Sequence, residues 1–286
     1  MKILITGALG NVGYELVKKF SRNNKVLAIY RNKTNILIKN KNITWQKLDL
    51  SKKIKIEYEP EIIIHCAVAH SYSKKNTEND FIDSNIKTTT NLINFIRIKP
   101  KKFRLFINFS TVSVYEEDTK IKKIDENSLL SSSSLLGITK YVSEFILVKS
   151  NINYINLRLP GIVANEKEEN RPWIKTIIRD IRNHKEIKVS NLNKKFNSII
   201  DTQEIYQVIK KIISKKIINE TINLTASNPI KIIEIINLIK KKLKSKSSVI
   251  KIRSLRNSLI YDDDKISKLL GKKLPSVKKI ILRNIN

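Results

Sequence analysis

The sequence predicts an α/β protein with a doubly wound parallel sheet in its first half and a smaller α/β domain in its second half. Short apolar runs alternate with segments of helical periodicity along the chain. The runs are apolar throughout, which is typical of parallel strands that crossover helices bury on both faces. Three glycines follow the first run directly, so the chain is expected to turn there from a strand into a helix.

The first half begins with the run KILIT at residues 2–6, and the segment 11–20 carries apolar residues at helical spacing. The same alternation recurs as far as Pro160 and predicts a sheet with helices on both faces. The further predicted elements are strands at 25–30, 43–50, 61–69, 103–111 and 152–160 and a long helix over 81–98.

The pattern changes after Pro160, where the charged stretch NEKEENRP at 165–172 is followed by shorter elements. We therefore predict a first domain at 1–164 and a second at 165–286, with residues near 196–205 packing back on the first. The second domain is predicted to contain helices near 173–183, 202–215, 230–244 and 262–270 and strands near 187–189, 220–225 and 248–252.

The composition is that of a globular protein. A chain of 286 residues, 41% of them hydrophobic, can bury one large core or two linked ones. No apolar stretch approaches the roughly 20 residues that span a bilayer. The first strand begins at the second residue, so we expect a cytoplasmic protein without a leader peptide. The single Cys66 excludes an internal disulfide, and three histidines at no metal-ligand spacing predict no metal site.

The chain is strongly basic, with 56 Lys and Arg against 26 Asp and Glu and a formal charge of +30. Such an excess attracts anions, whether phosphates, nucleic acids or acidic membrane surfaces. The lysines are spread along the chain in Ile-, Lys- and Asn-rich runs and form no recognisable nucleic-acid module. We therefore interpret the charge as biased composition on solvated faces and expect no nucleic-acid partner.

The segment TGALGNVG predicts a dinucleotide site. Gly7, Gly10 and Gly13 lie between the first strand and the helix that begins near Asn11. Glycines at this spacing give a tight turn, let the backbone approach a pyrophosphate and let the helix pack closely on the strand. The anion would lie at the helix N-terminus, beside Asn11 and Val12. This context predicts a Rossmann-type fold for the first domain.

The Thr-Gly-x-x-Gly-x-x-Gly spacing resembles that of the extended short-chain dehydrogenase and epimerase family that acts on nucleotide sugars. The resemblance continues, in order, over nearly the whole chain. The segments that carry it are LDL at 48–50, HCAVA at 65–69, Asn85 with the following KTTTNLI, FSTVSVY at 109–115, LLGITKYVSE at 135–144, LRLPGIV at 157–163, NSIIDTQEI at 197–205, INLTASNPIKIIEI at 222–235 and DDDKISKLLG at 262–271.

The resemblance implies a set of cofactor-binding residues. Asp49 would contact the adenine ring, and Lys140 would hold the nicotinamide ribose. Leu50, Ala67, Asn85 and Pro160 occupy further positions of the family pattern that lie along the cofactor.

The cofactor is predicted to be NADP or NAD. The second strand ends in Tyr30 and Arg31, without the carboxylate that would bind the ribose hydroxyls of NAD. Arg31 is a planar cation suited to a 2′-phosphate, which favours NADP. The alternative is that Arg31 is one more exposed cation in a very basic chain.

The resemblance also implies catalytic positions. Thr111 stands where the family has the Ser or Thr that bonds the substrate oxygen, and Lys140 stands at the lysine position. Leu136 occupies the position of the family's acid/base tyrosine and has no titratable proton. Tyr141 follows Lys140 and therefore points about 100° away around the helix. Tyr141 is therefore a poor substitute. Tyr115 follows the strand that carries Thr111 and is a candidate for a proton donor, although the resemblance implies a structural or substrate-side residue there.

Other potential proton donors are His70 and Tyr72, in a loop near the expected substrate position. His65 and Cys66, at the end of an apolar strand, are interpreted as core or cofactor-wall residues and not as a ligand pair.

The sequence leaves two main functions open, and a third and weakest one, a nucleic-acid-associated protein, rests on the charge alone. The first is an NAD(P)-dependent nucleotide-sugar epimerase or ketoreductase-like protein, in surface polysaccharide synthesis, with a nucleoside-diphosphate sugar as substrate. The second is a non-catalytic sensor or regulatory subunit that keeps the dinucleotide fold, which Leu136 supports. The resemblance further implies a homodimer through the helices near 81–98 and 134–150.

Overall fold

The computed structural model of the chain describes residues 1–32, 37–69, 76–115, 123–164, 173–253 and 259–285. The described residues fall into two compact units. The first unit comprises residues 1–115, 129–158 and 212–222, and the second comprises 116–128, 159–211 and 223–286. The division of the chain at residue 164, expected from the sequence, stays a prediction.

A seven-stranded sheet forms the centre of the first unit. Its order is β11-β6-β5-β4-β1-β2-β3, and the pairs β1–β2, β1–β4, β2–β3 and β4–β5 are parallel. The strands are β1 (Lys2–Thr6), β2 (Lys25–Tyr30), β3 (Ile43–Lys47), β4 (Ile62–His65), β5 (Leu105–Thr111), β6 (Tyr154–Leu159) and β11 (Glu220–Asn223).

The helices of the first unit flank this sheet. The long helix predicted over 81–98 begins at Glu78 and contains a π-helical segment, Ile82–Lys87, between two α-helical parts. The helices of this unit are α1 (Asn11–Phe20), α2 (Glu78–Phe81), α3 (Thr88–Ile98) and α4 (Leu135–Val148), and a 3₁₀ turn, Val112–Val114, follows β5. The predicted α/β class and doubly wound parallel sheet are confirmed.

The apolar runs form central strands because both of their faces are covered. Ile3, Leu4 and Ile5 of β1 and Ile63 and Ile64 of β4 are completely buried. The order β3-β2-β1-β4-β5-β6 places the reversal of strand order between β1 and β4. Ligands of such sheets bind beyond the carboxyl ends of the strands at this reversal point. Thr6 and His65 are the last residues of these two strands.

The second unit contains short paired strands and several helices. β10 pairs with β7 in parallel, β13 with β8 in parallel, and β12 with β9 antiparallel. Its elements are β7 (Gly161–Val163), α5 (Trp173–Arg182), β8 (Ile187–Val189), β9 (Lys195–Phe196), β10 (Ile199–Asp201), β12 (Ile230–Lys231), α7 (Ile232–Leu243), β13 (Val249–Lys251), α8 (Asp264–Leu270) and α9 (Val277–Arg283), and α6 (Thr202–Ser214) begins in it.

Several of these elements were not predicted. The strands β7, β9, β10 and β12 have two or three residues each, too few for a periodicity to be recognised. Helix α9 was also missed, although Ser276 caps it and the apolar Val277, Ile280 and Ile281 follow at helical spacing. None of the helices in the described residues is long and apolar enough to span a membrane.

Candidate functional site

The turn after β1 depends on two glycines in different ways. Gly7 has a φ of +61°, and a Cβ atom there would lie 2.7 Å from the backbone N of Ala67. A Cβ atom on Gly13 would lie 2.2 Å from the carbonyl O of Gly7. Gly10 is less restricted, because its φ is −72° and its Cβ would lie 3.3 Å from the same oxygen. The fold itself therefore requires Gly7 and Gly13 more strictly than Gly10.

The N-terminus of α1 is open for an anion. Gly10 is the residue before the helix, and its position provides no side-chain cap for the first-turn N–H groups. Asn11, Val12 and Gly13 follow it, and no acidic residue lies in this first turn. Uncapped N–H groups and the positive end of the helix dipole favour a negatively charged group here.

Helix α4 packs against β5, the 3₁₀ turn and the π-helical segment. Ser134 caps it by accepting a hydrogen bond from the Gly137 N–H at 3.1 Å. A Cβ atom on Gly137 would lie 2.0 Å from Ser132 Oγ and 2.1 Å from the Ser113 carbonyl O. Gly137 thus lets the start of α4 approach the 3₁₀ turn that follows β5.

The side chain of Lys140 is buried on α4, with 2% of its surface exposed. Its Nζ atom has no hydrogen-bond partner among the described residues. Burial lowers the pKa of Lys140 to about 8, although nearby Cys66 and Glu144 partly oppose this shift. A buried amine without acceptors is unfavourable, so this group is suited to a ligand that brings oxygen atoms to it.

Asn85 connects the π-helical segment with α4 and with the chain after β4. Its side-chain Nδ2 donates to Thr139 Oγ1 at 2.9 Å, and its Oδ1 accepts from the Ala69 N–H at 3.0 Å. Asn85 is completely buried, and Thr139 directly precedes Lys140. Irregular π-helical turns occur frequently at functional sites.

Thr111 is the last residue of β5 and is half-buried. Its Oγ1 accepts a hydrogen bond from the Ser113 N–H at 3.1 Å. That bond fixes the hydroxyl oxygen through a lone pair, and its O–H proton can still be donated to another oxygen. Thr111 ends β5, and α4 packs closely beside the following 3₁₀ turn at Gly137, so both lie at the same end of the sheet.

Leu136 belongs to a small apolar cluster. It is 7% exposed and packs in a cluster with Ala69 and Phe81, against which the partly buried Val68 also packs. Tyr141 is 40% exposed on the same helix, whereas Lys140 is buried, so the two point into different surroundings. Leu136 therefore presents an aliphatic side chain among apolar neighbours, and its correspondence to the family's tyrosine stays a prediction.

Tyr115 lies in the core. It is 1% exposed, and its hydroxyl accepts a hydrogen bond from Arg158 Nη1 at 2.8 Å. The Arg158 guanidinium also lies 4.9 Å from the centre of the Tyr115 ring and forms an ion pair with Glu144 at 2.7 Å. These contacts are those of a structural residue and do not support Tyr115 as a proton donor. The other two candidates, His70 and Tyr72, lie outside the described residues.

Arg31 follows β2 and is exposed. Asp49 accepts hydrogen bonds from the Ser51 N–H at 3.0 Å and the Ser51 hydroxyl at 2.7 Å. Partial burial alone would raise the pKa of Asp49, but these bonds and the charges of Arg31 and Lys52 outweigh it and lower the pKa. Asp80 also interacts electrostatically with Arg31. Arg31 therefore has two carboxylates in its surroundings.

Two further predicted residues have their own positions. Leu50 is 5% exposed and its side chain belongs to the core cluster that includes Leu4, Leu27 and Ile29. Pro160 is buried between β6 and β7 and belongs to the second unit. The remaining predicted residues lie at the carboxyl ends of the sheet strands or on the helices that follow, all within the first unit.

Residues 3–224 match the model of the NAD dependent epimerase/dehydratase family. The chain belongs to this family. The match confirms the resemblance that the glycine turn and the later segments predicted.

Curated relatives come from archaea and bacteria. An uncharacterized protein of Methanocaldococcus jannaschii is 27% identical over 273 residues, which are 86% of this chain and 82% of the relative. A putative UDP-glucose 4-epimerase of the same organism is 29% identical over 179 residues, which are 58% of this chain and 57% of the relative.

Solved structures of two epimerases share the fold. UDP-glucuronic acid 4-epimerase from Bacillus cereus, in complex with NAD, has a TM-score of 0.80 at 20% identity, covering 99% of this chain and 97% of that one. UDP-glucose 4-epimerase from Thermotoga maritima, with UDP-glucose, has a TM-score of 0.81 at 17% identity, covering 100% of this chain and 97% of that one.

Proposed function

We propose that the first unit binds NAD or NADP and that the protein is a nucleotide-sugar epimerase or ketoreductase-like member of its family. The observation that carries this proposal is the buried Lys140 ammonium group, which has no hydrogen-bond partner among the described residues. Ribose hydroxyls would supply the acceptor oxygens that this group lacks. The uncapped N-terminus of α1 fits a pyrophosphate in the same way.

Different residues of this chain would bind different parts of the dinucleotide. The turn with Gly7, Gly10 and Gly13 would hold the pyrophosphate, and Asp49 the adenine ring. Lys140 would hold the nicotinamide ribose, and the Thr111 hydroxyl would donate to the sugar oxygen that reacts. A bound nicotinamide supplies the hydride acceptor or donor.

Replacing Lys140 by methionine tests the central observation. We expect Lys140→Met to weaken dinucleotide binding by about tenfold or more, which corresponds to roughly one charge-assisted hydrogen bond. The same variant should stabilise the protein without cofactor by about 1 to 3 kcal/mol at neutral pH, because it removes a buried amine without a partner. Calorimetry measures the affinity and thermal unfolding measures the stability.

The stability gain should depend on pH in a defined direction. The pKa of Lys140 is lowered from 10.5 to about 8 by burial, so between these values the unfolded chain binds more protons than the folded one. Wild-type stability therefore rises as the pH increases from 8 towards 10.5, and the advantage of Lys140→Met shrinks. Equal affinity of both proteins for the dinucleotide would contradict the role assigned to Lys140.

The choice between NADP and NAD is tested at Arg31. NADP is our preferred cofactor because Arg31 can pair with a 2′-phosphate. The carboxylates of Asp49 and Asp80 near Arg31 offset part of its positive charge, which reduces this preference. We expect Arg31→Asp to weaken NADP more than NAD, as measured by calorimetry with each nucleotide. Equal losses for the two nucleotides would make Arg31 a surface cation only.

A second function is a non-catalytic sensor or regulatory subunit that binds the dinucleotide. The apolar cluster around Leu136 favours it, because no described side chain of this cluster can transfer a proton. Loss of an acid/base group removes a contribution of about 10²- to 10⁴-fold to the rate. Turnover assays with candidate nucleotide sugars distinguish the two functions.

The expected ligand and assembly follow from the relatives and from one exposed surface. Solved relatives bear names of enzymes acting on UDP-sugars, which supports a nucleoside-diphosphate sugar as the ligand here. The role in surface polysaccharide synthesis is part of the proposal and has no support from these names. Helix α4 exposes an apolar stripe formed by Leu135, Ile138, Tyr141, Phe145 and Val148. An exposed stripe of this kind supports the homodimer predicted through this helix, and light scattering of the purified protein measures the oligomeric state.

A further inference from the structure

His65 lies at the centre of a buried hydrogen-bond network at the end of β4. Its Nδ1 atom is 2.7 Å from the Thr6 hydroxyl at the end of β1. Its Nε2 atom is 3.2 Å from the Thr89 hydroxyl and 3.4 Å from the Thr88 hydroxyl, both at the start of α3. The ring is completely buried and packs edge-on against Phe106 at 5.9 Å. One side chain thus joins two strands of the sheet to a helix.

The two threonines of α3 fix which ring nitrogen carries the proton. The Thr88 hydroxyl donates to the carbonyl O of Ser84 at 2.6 Å, and the Thr89 hydroxyl donates to the carbonyl O of Asn85 at 2.9 Å. A hydroxyl group has a single proton to donate, so both oxygens can only accept from His65. The proton of a neutral His65 ring is therefore on Nε2.

The direction of the bond to Thr6 follows from the same reasoning. With its proton on Nε2, the ring offers Nδ1 as an acceptor, so the Thr6 hydroxyl donates to it. The Thr6 oxygen in turn accepts from the Ala67 N–H at 3.2 Å. The bonds thus run in one direction through a neutral imidazole, whereas a doubly protonated ring would require the Thr6 hydroxyl to turn and accept at Nδ1.

We propose that His65, held as the neutral Nε2–H tautomer, is a positioning residue. It fixes the position of the glycine turn relative to helix α4. On one side His65 bonds to Thr6, and the Thr6 oxygen accepts from the Ala67 N–H. The Ala67 backbone packs directly against Gly7. On the other side His65 fixes the threonines that bond the π-helical segment, from which Asn85 reaches Thr139 beside Lys140. The affinity part of this inference rests on the proposed cofactor function.

The charges around the ring agree with a neutral state. Burial lowers the pKa of His65 well below its ordinary value, and the positive charge of Lys140 lowers it further. The groups bonded to the ring from β1 and α3 are uncharged hydroxyls, and Phe106 of β5 is apolar. Cys66 is adjacent in sequence, and burial raises the pKa of its thiol, so it adds no negative charge at neutral pH.

The tautomer can be measured without any ligand. The chain has three histidines, so ¹⁵N-histidine labelling gives few signals, and His70→Ala and His184→Ala variants assign the one from His65 by elimination. We expect an Nε2–H signal whose position does not change between about pH 5 and 8, the range in which an ordinary histidine titrates. An Nδ1–H tautomer, or titration in this range, would overturn the proposal.

The positioning role is tested with a matched pair of threonine variants. Thr88→Val/Thr89→Val removes both acceptors for His65. Thr90→Val removes a similar bond to a helix carbonyl, that of Ile86 at 3.1 Å, away from His65. We expect Thr88→Val/Thr89→Val to shift the backbone amide signals of Gly7 and Ala67 and to weaken dinucleotide binding about fivefold, the effect of roughly one net hydrogen bond. Thr90→Val should do neither.

A stability-matched control separates positioning from general loosening. Leu147→Ala removes core volume at the far end of α4, and it should lower the melting temperature without shifting the Gly7 and Ala67 signals or the affinity. Equal effects of Thr90→Val or Leu147→Ala on these signals would refute the positioning role. If the wild type binds no dinucleotide, the proposed function fails, while the amide signals still decide the role of His65.

Discussion

Gly10→Val is expected to weaken dinucleotide binding strongly while the protein still folds. Gly10 has a φ of −72°, which any residue adopts, and a Cβ atom there would lie 3.3 Å from the Gly7 carbonyl O. A branched side chain at this position would cover the first-turn N–H groups of α1 that are proposed to meet the pyrophosphate. We expect the dissociation constant for NAD or NADP to rise about 100-fold or more, equivalent to roughly 2.7 kcal/mol.

The neighbouring glycine provides the contrasting control. Gly13→Val would place a Cβ atom 2.2 Å from the Gly7 carbonyl O, so this variant is expected to lose stability as well as binding. Calorimetry with each nucleotide measures binding, and circular dichroism with thermal melting measures the fold. A Gly10→Val protein that is folded and still binds with wild-type affinity would disprove the assignment of the glycine turn to the pyrophosphate.

The sequence predicted the structure best where the pattern of a single run of residues reflects how that run is buried. Strands β1 and β2 are mainly apolar because helices cover both faces of a parallel sheet, and this pattern can be read directly. The glycine turn is equally local. The π-helical segment Ile82–Lys87 has no such signal, because it depends on bonds from Asn85 and the neighbouring threonines to other elements.

Residues at the site were identified by position in the chain, but their environment was not. The predicted role of Lys140 came from its motif, whereas its burial and its lack of a partner depend on the packing of α4. Tyr115 was considered a proton donor because it follows the strand that carries Thr111. Its burial depends on Arg158, which is 43 residues away in the chain and was not linked to it. Likewise, the bond between Thr6 and His65 spans 59 residues.

Leu136 links the two functions that remain proposed. The cluster that Leu136 forms with Ala69 and Phe81 is apolar. If this position corresponds to the family's tyrosine, as the resemblance implies, an aliphatic side chain stands there in place of a proton donor. An enzyme that lost the phenol recently would still have a pocket that accommodates a tyrosine side chain, whereas a long-established non-catalytic protein would not. Introducing a tyrosine at position 136 distinguishes these two cases.

Leu136→Tyr is expected to raise hydride transfer to a keto-sugar by about tenfold or more if the site is otherwise that of an enzyme. The phenol would stand four residues before Lys140, whose positive charge would lower the pKa of the tyrosine towards the working pH. A tenfold gain corresponds to ~1.4 kcal/mol of barrier. The reaction is followed by the loss of absorbance of NADPH or NADH as the reduced nicotinamide is oxidised.

The space around Leu136 determines the design of this experiment. Leu136 is 7% exposed and packs with Phe81, so the larger ring requires a second variant, Leu136→Tyr/Phe81→Leu, that provides the missing volume. Leu136→Phe is the matched control, because it adds the ring without the hydroxyl. An increase with tyrosine and none with phenylalanine would assign the gain to the proton donor. If neither tyrosine variant gains activity while both fold and bind the cofactor, the turnover of the wild type distinguishes the two functions. Wild-type turnover that disappears in His70→Ala identifies a substitute acid. A wild type inert towards every sugar tested favours the dinucleotide-binding regulatory subunit.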